Sequence, residues 1–163
     1  MGTASPRRRF GVLLVLGLAT LPVLTGYAIE PPEAERAHAL VQLANQQRVH
    51  AGLPALRSNP RLMRAAQAHA EQSAAEGRLA HVLPKARLPK PEDRLRASGY
   101  DWSAFAENIA FGQRSTSEAI ADWMKSPGHR KNLLSPAYTE LGTGFATDDR
   151  GRAYYVQVFG RPG

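Results

Sequence analysis

The chain has 163 residues, enough for one domain with a real core, and 43% are hydrophobic with glycine and proline well spread, which excludes a disordered or fibrous chain. Its formal net charge of +7 falls to +4 without the first 28 residues, because Arg7, Arg8 and Arg9 leave with them and 18 basic residues then face 14 acidic ones. The remaining cations are scattered singly, so no nucleic-acid partner is expected, and the absence of cysteine excludes disulfides, thiolate metal sites and cysteine nucleophiles together.

Residues 1–28 have the three parts of a secretory signal: the positive end Arg7-Arg8-Arg9, an apolar run from Phe10 to Leu24, and small residues around a cut at Gly26-Tyr27-Ala28. The run is short of the roughly 20 residues of a membrane span, but extending it to Ile29 brings it close. A cleaved signal and an uncleaved anchor therefore both stay open, and in the second case this segment is the chain's only membrane contact. Arg7-Arg8-Arg9-Phe10 also fits the twin-arginine pattern loosely. The expected location is extracytoplasmic, secreted or in the cell envelope, and a cysteine-free exported domain of this size points to a bacterial setting. Residues 29–36 read as a linker and 37–163 as the domain.

Ala37, Leu40, Val41, Ala44, Arg48 and Val49 recur at helical spacing and predict an amphipathic first helix from Glu33 to Ala51, stopped by Gly52. His38 and His50 near its ends read as solvated, and 53–56 as an extended link. Asn59 caps a second helix with Pro60 at its first position, running to Glu76 and ending at Gly77. Its inner stripe is Leu62, Ala65, Ala66, His69, Ala70 and Ser73; the alanines suggest another element close by, and His69 reads as a packed core histidine. His81 follows in a loop, where it is placed to point into a cleft. The stretch 84–91, with three prolines and three basic residues, is a surface loop. Asp93 to Ala97 predicts a short helix, after which Tyr100 and Trp102 return to the core.

Glu107-Asn108-Ile109-Ala110-Phe111-Gly112 predicts a short buried strand or extended turn. Burying a glutamate there is costly unless it is paired. Ser115-Thr116-Ser117-Glu118 is a capping box, which explains Glu118 structurally. Ala119, Ile120, Trp123 and Met124 form the inner face of the helix that follows. Ser126-Pro127 opens a further turn, with Ser126 as its cap and His129 on fixed backbone. Two strands end the chain, Tyr138–Ala146 and Ala153–Phe159, joined by a hairpin turn at 148–151, and the Phe111 segment is a candidate third strand.

In this order, Asn45-x-x-Arg48, His81, Arg94, Gly99-Tyr100, Glu107-Asn108-Ile109-Ala110, Trp123-Met124-x-Ser126-Pro127-Gly128-His129-Arg130-x-Asn132, Gly142-x-Gly144 and Tyr154-x-x-Gln157-x-Phe159-Gly160 resemble the CAP superfamily: cysteine-rich secretory proteins, antigen 5 and pathogenesis-related proteins. The resemblance spans about Leu40 to Gly160 and is closest to the bacterial, cysteine-free, SCP-like branch. It implies an α+β fold, a three-layer α-β-α sandwich, with a cleft lined by two histidines and two glutamates. Position by position these are His81, His129 and Glu107, while Ser126 stands where the second glutamate belongs. In the family the resemblance points to, members with the full tetrad are associated with divalent-cation binding, some with sterol or lipid binding in a separate groove and a few with proteolysis, and no residue of this chain itself points to the last two.

The reading that follows is an exported binding module. His81 and His129 are candidate ligands of a divalent metal such as zinc, and Glu107, Asn108 and Ser126 line the cleft behind them. Its partner is an unidentified small ligand, lipid or envelope component. The alternatives are a metal-assisted hydrolase of peptide or cell-wall material with Glu107 as candidate base, and a structural surface protein with a vestigial cleft.

Overall fold

A computed structural model describes residues 1–2 and 32–163, so the leader expected at 1–28 lies outside the described residues apart from Met1 and Gly2. Helix α1 spans Glu33–His50 and so takes in residues 33–36, read above as linker. Its buried stripe is Ala37, Leu40, Val41, Ala44 and Arg48. Val49, expected on that stripe, is 60% exposed. Arg48 takes the inward place, its Nε donating to the Pro54 carbonyl at 3.0 Å and its Nη1 to those of Leu133 and Ser135 at 2.9 and 2.8 Å, which offsets much of the cost of burial although Nη2 has no hydrogen-bond partner among the described residues.

The extended link runs into a two-residue strand, β1 (Arg57–Ser58). Helix α2 (Pro60–Glu76) starts and stops as expected: the Asn59 side chain accepts from the N–H groups of Arg61 and Leu62, and Gly77 closes the helix at φ 59°. Helix α3 is Pro91–Ala97, two residues longer than expected at its start, since proline suits the first helical position. The Glu107 segment forms a full strand, β2 (Ala104–Phe111).

Helices α4 (Thr116–Lys125) and α5 (Pro127–Leu133) meet at Ser126. Ser115 caps α4 by accepting from the Glu118 N–H at 3.1 Å, but the Glu118 carboxylate reaches the Arg114 N–H at 2.9 Å rather than that of Ser115. The box is displaced by one residue. Ser126 holds the cap position of α5 without a side-chain cap bond. The hairpin joins β3 (Glu140–Thr147) to β4 (Ala153–Arg161), with the Asp148 carboxylate accepting from the N–H groups of Arg150 and Arg152 at 3.0 and 2.9 Å.

The sheet order is β1-β3-β4-β2, with β1 parallel to β3 and the other pairs antiparallel. Alternation along the strands feeds two cores. Leu141, Phe145, Tyr155 and Phe159 pack with Leu40, Ile120, Trp123 and Leu133 on one face. Val156, Val158 and Ile109 pack with Leu62, Ala66, Ala70 and Leu95 on the other. The result is the expected α+β three-layer sandwich, α1, α4 and α5 over one face and α2 and α3 over the other. Trp102, expected in the core, is only half-buried, edge-on to Phe105, whereas buried Tyr100 donates its hydroxyl proton to Glu140 at 2.9 Å.

Helix α2 lies on the sheet with almost nothing between backbones. A Cβ on Gly142 would overlap the main chain of Leu62 and Met63, and one on Gly144 that of Ala66 and Gln67. Gln67 locks the contact, donating to the Phe145 carbonyl at 2.9 Å and accepting from its N–H at 3.1 Å.

Candidate functional site

Strand β2 ends the sheet, and alternation along it divides the site residues between the two layers. Ile109 belongs to the α2 core and Ala110 to the α4 core. Two residues earlier on each face, Glu107 therefore turns toward α2 and α3, and Asn108 toward α4 and α5.

Glu107 is buried, and its carboxylate is held from several sides. Arg94 of α3 reaches Oε2 at 3.0 Å and Oε1 at 3.3 Å through Nη2. The His81 Nδ1 stands 2.9 Å from Oε1. A carboxylate only accepts, so this nitrogen carries the proton, and in the neutral ring Nε2 keeps a free lone pair. Arg94 also donates to the His81 carbonyl at 3.1 Å and to those of Leu88 and Pro89 at 3.2 and 3.3 Å, so one buried guanidinium fixes both the carboxylate and the loop that carries His81. The His81 side chain itself is 52% exposed.

Burial pushes the Glu107 carboxyl upward, but the His81 hydrogen bond, His69 and Arg94 outweigh it and hold the group below the usual range. An acid so held is an orienting anion and a poor general base.

His129 sits half-buried on α5, and its anchor is Asn108. The Asn108 amide donates to the His129 carbonyl at 3.1 Å and to the Gln157 side chain at 3.3 Å, while its oxygen accepts from the Asn132 side chain at 3.0 Å. Asn108 is thus the pin between β2 and α5. Burial lowers the His129 pKa, with nearby His81 adding to the effect. Ser126 shares no hydrogen bond with the other four candidates among the described residues.

A divalent cation is the group the resemblance implies. His81 suits it, with Nδ1 oriented by a carboxylate and Nε2 free, as second-shell carboxylates orient metal-binding imidazoles. Glu107 does not suit the role of ligand, because both its oxygens are engaged. Among the described residues no group of three or more His, Asp or Glu is placed to hold an ion.

Two members of this centre lay outside the expected set. Arg94 was legible only as part of a motif; its role shows in its burial against the one acid of β2. His69, read as a packed core histidine, is indeed fully buried, but its Nε2 lies 3.5 Å from Glu107 Oε1. The sequence signal was two polar residues, His69 and Ser73, on an otherwise apolar stripe. Burial lowers the His69 pKa to about 4, against the opposing pull of Glu107.

That shift carries a pH dependence. The unfolded histidine takes up its proton near pH 6.5 and the folded one only near 4, so the contribution of His69 is complete above about 6.5 and is lost as pH falls toward 4. The loss is on the order of 3 kcal/mol. Glu107, also lowered, extends the decline below the ordinary carboxylate range. Denaturant unfolding between neutral pH and 4 should show this slope, and His69→Leu should flatten its upper part; an unchanged slope in the variant would assign the acid sensitivity elsewhere.

Residues 41–159 match the family described as CAP, the cysteine-rich secretory protein family. The chain is 31% identical over 122 residues to the uncharacterized protein YkwD of Bacillus subtilis (strain 168), covering 75% of this chain and 46% of that protein. It is 34% identical over 120 residues to the uncharacterized membrane protein YlbC of the same strain, covering 74% and 33%. It thus spans less than half the length of either relative. Among solved structures, an extracellular protein containing a SCP domain from Bacillus anthracis superposes with a TM-score of 0.72 at 29% identity, over 79% of this chain and 41% of that one. An outer surface protein of Borrelia burgdorferi gives a TM-score of 0.73 at 18% identity, over 82% and 97%, a likeness of fold alone. The family match runs from the middle of α1 almost to the end of β4 and includes all five candidate residues, and the chain belongs to the cysteine-rich secretory protein (CAP) family.

Proposed function

We propose that this protein is an extracytoplasmic binding module whose cleft meets its ligand through His81 and His129, with a divalent cation such as zinc held between the two imidazoles and its remaining positions left to water or to the ligand. The observation that carries this reading is the state of Glu107. Its oxygens are taken up by Arg94 and His81, so it orients an imidazole and leaves the imidazoles as the groups free to bind. With only two protein ligands the affinity is modest, and the ligand completes the coordination. The location rests on the leader-like composition of residues 1–28 and on the similar Bacillus anthracis protein described as extracellular. Among the described residues no helix is long and apolar enough to cross a membrane. An unidentified small molecule, lipid or envelope component is the partner class.

Zinc titration of the purified protein tests this. At a free concentration about ten times the dissociation constant, binding adds about 1.4 kcal/mol, or about 3–6 °C in melting temperature for a domain of this size. His81→Ala and His129→Ala should each abolish the shift. A shift that survives in both variants would remove the two-histidine site.

A further inference from the structure

Helix α2 turns two polar residues into the layer beneath the cleft. His69 and Ser73 lie one helical turn apart on its inward stripe, and both are fully buried. The Ser73 hydroxyl has no hydrogen-bond partner, and neither ring nitrogen of His69 makes a hydrogen bond of ordinary geometry, the Ala80 carbonyl being the one backbone acceptor near enough to favour its N–H. Native folds leave few buried polar atoms unpaired, since each costs about 1–3 kcal/mol, and here three fall together on one stripe beside a buried carboxylate. His69 Nε2 stands 3.5 Å from Glu107 Oε1, the oxygen that accepts from His81 Nδ1 at 2.9 Å. Arg94 meets Oε1 only at 3.3 Å, the longer arm of a contact centred on Oε2 at 3.0 Å, so the second of the two lone-pair sites on Oε1 is weakly used and a better-placed donor can take it. An approach of a few tenths of an ångström turns the 3.5 Å contact into a hydrogen bond.

We propose that His69 is a positioning residue for the cleft: as its Nε2–H tautomer it donates to Glu107 Oε1 from inside the fold, steadying the carboxylate that sets His81 as its Nδ1–H tautomer. The proposal rests on reading His81 as the ligand-facing imidazole. A neutral imidazole has one N–H to give, and spending it on Glu107 leaves Nδ1 as an acceptor. Ser73, four residues on and therefore on the same face, supplies the matching O–H directly or through one bound water. Protons and lone pairs then alternate without conflict from Ser73 through His69 and Glu107 to His81.

The test is nitrogen-15 NMR of the histidine rings in the full-length protein at about pH 8, where unperturbed histidines are neutral. His69 is expected as the Nε2–H tautomer and His81 as the Nδ1–H tautomer. In His69→Leu, His81 should become a tautomer mixture. His69→Gln, whose amide nitrogen sits near the place of Nε2, should restore the single form. Where zinc binds, its affinity should fall about tenfold in the leucine variant and recover in the glutamine variant, the usual scale for losing a second-shell partner. A single unchanged His81 tautomer in His69→Leu, or His69 found as Nδ1–H in the unmodified protein, overturns the proposal. If His69→Leu does not fold, Ser73→Ala decides: the share of Nε2–H His69 should drop, and an unchanged share counts against the chain of hydrogen bonds. Failure of zinc to bind the unmodified protein would defeat the metal reading alone, since the tautomers still report on His69.

Discussion

Arg94→Leu is expected to cost about 3–5 kcal/mol of folding stability at neutral pH, the usual penalty for leaving a buried charge without its partner. Arg94 and Glu107 are both almost completely shielded from water and meet at 3.0 Å. The same guanidinium holds three carbonyls of the loop between α2 and α3, so its removal also frees the segment that carries His81. A buried ion pair adds little over an apolar pair of similar volume, whereas half of one is costly. The double variant Arg94→Leu/Glu107→Leu should therefore recover at least half of the loss. Denaturant unfolding of the three proteins measures this. A single variant within about 1 kcal/mol of the parent, or a double variant worse than the single, would mean that Glu107 is far better solvated than its surroundings indicate.

The second large effect is expected at Gly144. A methyl group there meets the α2 backbone at Ala66 and Gln67, main chain that cannot rotate away as a side chain can. Overpacking usually costs about 1–3 kcal/mol, and Gly144→Ala should reach or exceed the top of that range because a whole helix must lift. The same lift carries His69 away from Glu107, so zinc binding should weaken in parallel. Gly128→Ala is the control. It lies in α5 with ordinary backbone angles and open space around the added carbon, so it should be neutral or stabilising by up to about 1 kcal/mol. Equal unfolding midpoints for the two variants would mean that α2 and β3 are less tightly apposed than these glycines imply.

What was legible in the sequence was what short stretches decide for themselves. Asn59-Pro60 and Gly77 bound α2 because caps and a left-handed stop act within one turn. The third strand was visible at Phe111 because the apolar run there needs a sheet. Periodicity failed at Val49, since it cannot decide which of two neighbours turns inward when one is an arginine with three carbonyls waiting. Strand β1 was beyond reach, because two residues carry no pattern and its pairing is with Glu140 and Leu141, far along the chain. The site divides in the same way. His81, Glu107, Asn108 and His129 stood out by residue type and motif order, and the structure joins His81 to Glu107 and Asn108 to α5 by hydrogen bonds. His69 was correctly placed in the interior, but which polar group it faces depends on how α2 settles on the sheet, and Arg94 gains its meaning only from a carboxylate on another element.

Arg48 invites a different comparison. From α1 it grips the Leu133 and Ser135 carbonyls across more than eighty residues of chain, joining distant segments as a covalent crosslink does in many exported proteins. Hydrogen bonds of this kind need no oxidant to form and no isomerase to correct. The described domain can reach the same folded state in a reducing cytoplasm as outside it, so its maturation is uncoupled from the redox machinery of whichever compartment receives it.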